Sequence, residues 1–248
     1  MNSGKLIRFL KNNFFDPIYS FMFPALCIVC SSLLENEEHI TCTRCLSKLT
    51  PLDRKYTNDL KDEIKPSYFD QLFVLFEFDT VFQILIHHLK YQRFTSLALF
   101  FAACLETKVN NPYDLVTAVP LNSVRERERG YNQSNLIARH FASITGLKHS
   151  ENILLRTRNT PSQTKLNRKQ RIENMQTAFK LNGNINGKTV LLIDDVITTG
   201  STVNACAKEF KANGAKKVDV AILATPVDFF QQTLEKEGLS SETIDERT

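Results

Sequence analysis

No stretch of this 248-residue sequence stays apolar for the roughly 18 to 20 residues that a membrane helix needs. Residues 72–76 and 84–86 come nearest, and charges or histidines interrupt both. No membrane insertion is expected. Secretory-signal character is also missing: between Lys5 and Phe23, lysine, arginine and asparagine alternate with phenylalanine, with no continuous apolar core before a small-residue cleavage site. A cytoplasmic location is therefore expected. Cysteine is scarce, six in 248, which excludes a disulfide-dense scaffold. There is no Gly-x4-Gly-Lys-Ser/Thr, so a Walker-type ATPase is disfavoured. No internal repeat and no helix-turn-helix stands out. The charge excess is small, +4, and with 42% hydrophobic and 23% charged residues the chain is an ordinary globular one whose charge alone identifies no partner.

This length can bury one sizeable core and leave a small module over. Residues 1–60 read as a helical lead, closed by Pro24, followed by a cysteine module; residues 66–228 read as the main domain, and residues 229–248 as a charged tail. Between Thr50 and Pro66 the composition is polar and charged, that of a connection. Strands are predicted over residues 72–78, 115–119, 190–193 and 218–223, and helices over 81–89 and 97–105 and from Gly200 or Ser201 to Asn213-Gly214, the last with Val203, Cys206, Ala207 and Phe210 inward at i, i+3, i+4 and i+7. After Pro120 comes a charged turn, residues 125–130, then a helix with Leu136, Ile137, His140, Phe141 and Ile144 on one face, stopped at Gly146. Alternating strands and helices imply an α/β fold built from βαβ units.

The sharpest chemical signal is Val190-Leu-Leu-Ile-Asp-Asp-Val-Ile-Thr-Thr-Gly-Ser-Thr202. A buried strand ends in two carboxylates, then passes through a hydroxyl-rich turn into a helix. A helix N-terminus offers unpaired N–H groups and a favourable dipole to a phosphate. Gly200 permits close backbone approach, and Thr198, Thr199, Ser201 and Thr202 add hydroxyl donors. Asp194 and Asp195 would repel a phosphate, so the task that suits them is accepting hydrogen bonds from a sugar diol. The alternative, a solvated strand end with a Ser/Thr helix cap, fits an isolated Asp-Asp better than it fits this thirteen-residue context.

An anionic leaving group next to such a site needs cationic donors. Asn122 and Arg125 to Arg129 follow the second strand, and residues 156–171 hold six lysines or arginines with no acid. Each also has a plainer reading, as a salt-bridged turn or a solvated loop. At the N-terminal end, Cys27-x2-Cys30 and Cys42-x2-Cys45 stand eleven residues apart, the spacing of a closed tetrahedral structural zinc site. Paired redox Cys-x2-Cys motifs fit less well because there are two copies. His39 is an alternative ligand, and Cys104 and Cys206 are expected to be packing residues.

The array of Leu89-Lys90-Tyr91, Val119-Pro-Leu-Asn-Ser-Val-Arg125, Arg129-Gly-Tyr-Asn-Gln133, Gln163-x4-Arg168-x2-Arg171-x2-Asn174 and the Asp-Asp loop resembles the ComF family, competence-associated proteins that include the DNA utilisation protein GntX. The likeness runs from the cysteine pairs through Thr225. It implies a type I phosphoribosyltransferase-like fold, a five-stranded, mostly parallel sheet flanked by helices, with a small N-terminal four-cysteine zinc module. It further implies a site for 5-phosphoribosyl-1-pyrophosphate (PRPP) with Mg²⁺. In that site Asp194 and Asp195 hold the ribose and act in catalysis, and Thr198, Thr199, Gly200, Ser201 and Thr202 hold the 5-phosphate. Asn122, Arg125, Arg129, Arg168 and Arg171 neutralise the diphosphate, with residues 163–171 as a closing lid. Two activities follow from the resemblance: phosphoribosyl transfer to an unidentified acceptor, or binding of single-stranded DNA alongside other competence proteins, with PRPP as a regulatory ligand. A PRPP-sensing regulator ranks below both.

Overall fold

The computed structural model describes residues 24–35, 40–157 and 178–227. The helical lead, His39, the charged tail, and the lid candidates including Arg168 and Arg171 lie outside the described residues.

Four parallel strands form the main sheet: β1 (Gln71–Glu77), β2 (Leu115–Ala118), β5 (Thr189–Val196) and β6 (Lys217–Thr225), in the order β1-β6-β5-β2. Burial on both faces explains why β5 and β6 read as nearly unbroken apolar runs. Alternate β5 residues part between two cores. Val190 and Leu192 pack with α7 (Ser201–Ala212), whereas Leu191 and Ile193 pack with α3 (Thr80–Tyr91), α4 (Ser96–Lys108) and α6 (Gln133–Thr145). The expected inward face of α7, Val203, Cys206, Ala207 and Phe210, is buried as predicted.

Three expectations need correction. Among the described residues the main sheet has four strands rather than five, because the segment after α6 meets β2 at one parallel bridge, Val116 to His149, and then departs. A separate antiparallel pair, β3 (Leu154–Arg156) and β4 (Phe179–Leu181), stands apart from the main sheet. Residues 54–63, read as a connection, form the helix α2 (Arg54–Glu63), started by Asp53, whose side chain accepts from the Tyr56 N–H at 2.7 Å. Leu60 and Ile64 are buried at i, i+4 spacing against the first core, a narrow apolar stripe within a charged composition. The charged turn is likewise a short helix, α5 (Ser123–Arg129), capped by the Asn122 side-chain oxygen Oδ1, which accepts from the Val124 N–H, and ended by Gly130 at φ 82°.

Upstream, Cys42 precedes the single turn α1 (Thr43–Leu46), and the cysteine module leans on the second core through Ile28, Val29, Ile40 and Leu46. Among the described residues no helix is long and apolar enough to cross a membrane.

Candidate functional site

Strands β2 and β5 are neighbours, with Ala118 opposite Ile193, and the chain leaves them in opposite directions. From β2 it passes through α5 and α6 to the His149 bridge on the outer edge; from β5 it passes through α7 to β6 on the inner side. Such a switch point opens a crevice at the carboxyl ends of the strands. The Val119 N–H donates to the Ile193 carbonyl at 3.0 Å, which sets the turn of residues 120–122 beside the aspartates.

The turn after β5 is built as the sequence implies. Thr198 and Thr199 are exposed, and Gly200 is buried at φ 69°. Any other residue there would meet about 1–2 kcal/mol of left-handed strain, and its Cβ would sit 2.4 Å from Ile64 Cδ1. Gly200 at the N-cap of α7 has no side chain to cap the helix; the Thr199 and Ser201 hydroxyls pair with each other at 2.6 Å, and the Ser201 N–H reaches Thr199 Oγ1 only at 3.5 Å. That end of the helix therefore keeps the donors a phosphate uses. On its flank lies a cavity of about 90 Å³ whose lining includes Lys65, Thr199, Ser201 and Lys208.

Asp194 and Asp195 are held differently. Asp194 Oδ1 accepts from Ser134 Oγ and from the Asp195 N–H, both at 2.9 Å. Asp195 Oδ2 accepts from Gln133 Nε2 at 2.8 Å and pairs with Lys90 Nζ at 2.5 Å. Each carboxylate thus has one oxygen tied to the protein by these bonds. Asp195 is in addition a buried ion-pair partner, a role that the sequence did not indicate.

Burial, then the adjacent Asp195 charge, pushes the Asp194 carboxyl up to about 7, despite the bonds from Ser134 and the Asp195 amide. An unfolded carboxyl titrates near 4, so the native state holds a proton that the unfolded chain has lost, and stability falls as pH rises from about 4 through 7. Asp194→Asn removes that loss. Its melting temperature is expected to exceed wild type by roughly 5 °C or more at pH 8 and to converge with it near pH 4. Thermal melts across pH check this, and a difference that grows toward acid would refute it.

The diphosphate candidates are dispersed. Arg125 is exposed on α5, and Asn122 uses its side chain to cap that helix. Arg129 is buried, donating to Gln133 Oε1 at 2.8 Å and to the Tyr91 hydroxyl at 2.9 Å, so in this structure it serves the site through other side chains. A cavity of about 360 Å³, lined by Pro120, Ser123, Glu126, Asn132, Asn135 and Arg156 among others, lies beside the 120–122 turn. Sequence reasoning passed over Ser134 and assigned no role to Gln133 or Lys90. Their position was the available signal, since Gln133 and Ser134 open α6 directly after Asn132, whose side chain caps that helix.

At the other end of the chain the four sulfurs of Cys27, Cys30, Cys42 and Cys45 lie within 4.8 Å of one another, and Cys30 and Cys42 are 3.7 Å apart. A tetrahedral ion with bonds of about 2.3 Å sets its ligand sulfurs about 3.8 Å apart, so the cluster fits a metal. Backbone N–H groups of Val29 and Cys42 point at Cys27 Sγ, each at 3.4 Å. Hydrogen bonds from Ser32 lower Cys30 to about 5, whereas burial and neighbouring thiols raise Cys45 to about 12. Four cysteines at this spacing could hold a metal ion such as zinc, which would draw their thiols to thiolates.

A parallel sheet with an acidic pair, a hydroxyl turn and an uncapped helix at its carboxyl end defines a phosphoribosyltransferase-like domain, and residues 129–244 match the family described as Phosphoribosyl transferase domain. The chain is 30% identical over 204 residues to the DNA utilization protein YhgH of Escherichia coli (strain K12), covering 79% of this chain and 82% of that protein. It is 31% identical over 210 residues to Competence protein F of Haemophilus influenzae, covering 80% and 90%. The chain belongs to the ComF family. Among solved structures, the purine phosphoribosyltransferase from Pyrococcus horikoshii aligns at 22% identity over 53% of this chain and 73% of its own, with a TM-score of 0.30. The allosteric regulatory enzyme of purine biosynthesis aligns at 22% over 52% and 25%, with a TM-score of 0.39.

Proposed function

We propose that the crevice above β5 binds PRPP with Mg²⁺ and that the protein serves DNA uptake or utilisation, transferring the phosphoribosyl group to an acceptor. One observation carries the reading: two carboxylates, each with one oxygen tied to the protein, stand at the mouth of an uncapped helix whose first turn is hydroxyl-rich. The 5-phosphate takes the N–H groups of α7 with Thr198 to Thr202, and the second oxygens of Asp194 and Asp195 accept from the sugar hydroxyls. Bond cleavage leaves positive charge on the sugar and negative charge on the departing diphosphate. The carboxylates stabilise the first; the cation arriving on the diphosphate, with Arg125 and the basic loop, stabilises the second. The cysteine cluster holds zinc in a structural role, closed to substrate.

The names of the relatives, a DNA utilization protein and a competence protein, support a second reading in which the chain binds single-stranded DNA and PRPP is a regulatory ligand. Titration calorimetry with PRPP and Mg²⁺, followed by a pyrophosphate-release screen over candidate acceptors, separates the two. Saturable 1:1 binding is expected. Binding without release for any acceptor would favour the regulatory reading, and absence of binding would overturn both.

A further inference from the structure

The triplet Leu89-Lys90-Tyr91 ends α3, far in sequence from the acidic pair, yet each of its residues is tied to the site or to the turn that builds it. Lys90 Nζ pairs with Asp195 Oδ2. The Tyr91 hydroxyl accepts from Arg129 Nη2, and the guanidinium carbon lies 4.8 Å from the centre of the Tyr91 ring. The Leu89 carbonyl accepts from the Tyr131 hydroxyl. From the other side, Arg129 Nη1 donates to Gln133 Oε1, and Gln133 Nε2 donates to the same Asp195 oxygen that Lys90 holds.

These bonds close a ring. Lys90 and Gln133 meet at Asp195, Gln133 takes Arg129, Arg129 takes Tyr91, and Tyr91 is the chain neighbour of Lys90. Arg129 and Gln133 are buried, and the Lys90 and Asp195 side chains are only 18% and 10% exposed, so no member can turn away without breaking a bond inside the protein. Both donors converge on Oδ2 of Asp195, which fixes the rotation of the carboxylate and assigns Oδ1 to a ligand. The ammonium also cancels one of two adjacent negative charges at a place where a ligand rich in phosphate must arrive. Gly130, at φ 82°, makes the turn between α5 and α6 across which Arg129, bonded to Tyr91, meets Gln133.

We propose that this five-membered ring positions the sugar-holding carboxylate, and that Lys90 is its charge-balancing positioning residue. The proposal rests on the reading of the crevice as a PRPP site. Its test uses the full chain, with calorimetric titration of PRPP and Mg²⁺ and a thermal melt on every variant. Lys90→Met is expected to bind about 10-fold or more weakly, and Lys90→Arg to recover to within about 3-fold of wild type. Lys90→Met combined with Asp195→Asn is expected to bind no more weakly than Asp195→Asn alone, because both remove one interaction. Should Lys90→Met fail to fold, Tyr91→Phe, at a half-exposed position, carries the test: about 3-fold weaker binding with an unchanged melt is expected. Wild-type affinity in Lys90→Met, or in Tyr91→Phe where that variant stands in, overturns the proposal alone. So do losses that multiply in the double variant. A wild-type protein that does not bind PRPP overturns the reading beneath it.

Discussion

Asparagine at both Asp194 and Asp195 is expected to weaken PRPP·Mg²⁺ binding by 100-fold or more. A hydrogen bond to a charged acceptor contributes about 1.5–3 kcal/mol. At pH 8, where Asp194 is ionised as well as Asp195, losing that charge assistance at two sites removes about 3–6 kcal/mol, which is on the order of 10² to 10⁴ in Kd. The single variants separate binding from folding, because their effects on stability have opposite signs. Asp194→Asn relieves a carboxyl whose ionisation is disfavoured by burial and by Asp195, so it should be more stable than wild type at pH 8 while binding more weakly. Asp195→Asn leaves the Lys90 ammonium without its anion and should melt lower. A double variant that binds within about 3-fold of wild type in calorimetry would show that the diol is held elsewhere.

Removing metal from the cysteine cluster should have the larger structural effect. Purified protein is expected to carry one equivalent of zinc per chain by elemental analysis, and Cys27→Ser/Cys42→Ser to carry none. Binding of structural zinc is worth about 10–16 kcal/mol in small modules, more than the whole stability of a typical domain. Among the described residues the buried cluster around the sulfurs is small: Cys27, Cys42 and Cys45, with Val29 and Leu34 packed against it. Chelation should therefore open residues 24–49 to proteolysis while the parallel sheet persists, with a lower melt because Ile28, Val29, Ile40 and Leu46 leave the second core. Intact protein without metal, or a chelator-insensitive digest, would contradict this.

How far the sequence could be read depended on the range of the interactions. Strands β5 and β6 were legible because burial on both faces leaves an unbroken apolar run, and α7 because its stripe repeats at the helical period. The α2 helix was not, because one buried leucine and one isoleucine among charges look like a connection until a second surface is supplied. The fifth strand implied by the family resemblance shrank to one bridge, since strand pairing is decided by the partner as much as by the segment.

Local chemistry was determined by the sequence alone. Adjacent residues place the acidic pair, the hydroxyl turn and Gly200 at one strand end, and two short Cys-x2-Cys spacings mark out four cysteines that could hold a metal, because bonded neighbours have few geometries to choose from. Only the tertiary structure decided how that chemistry is divided. It set Lys90 and Gln133 on one oxygen of Asp195 and Ser134 on one oxygen of Asp194, and it drew Arg129 inward to Tyr91. Which donor reaches a carboxylate depends on where separate helices end after the sheet and its two cores have packed, and no spacing along the chain encodes that distance.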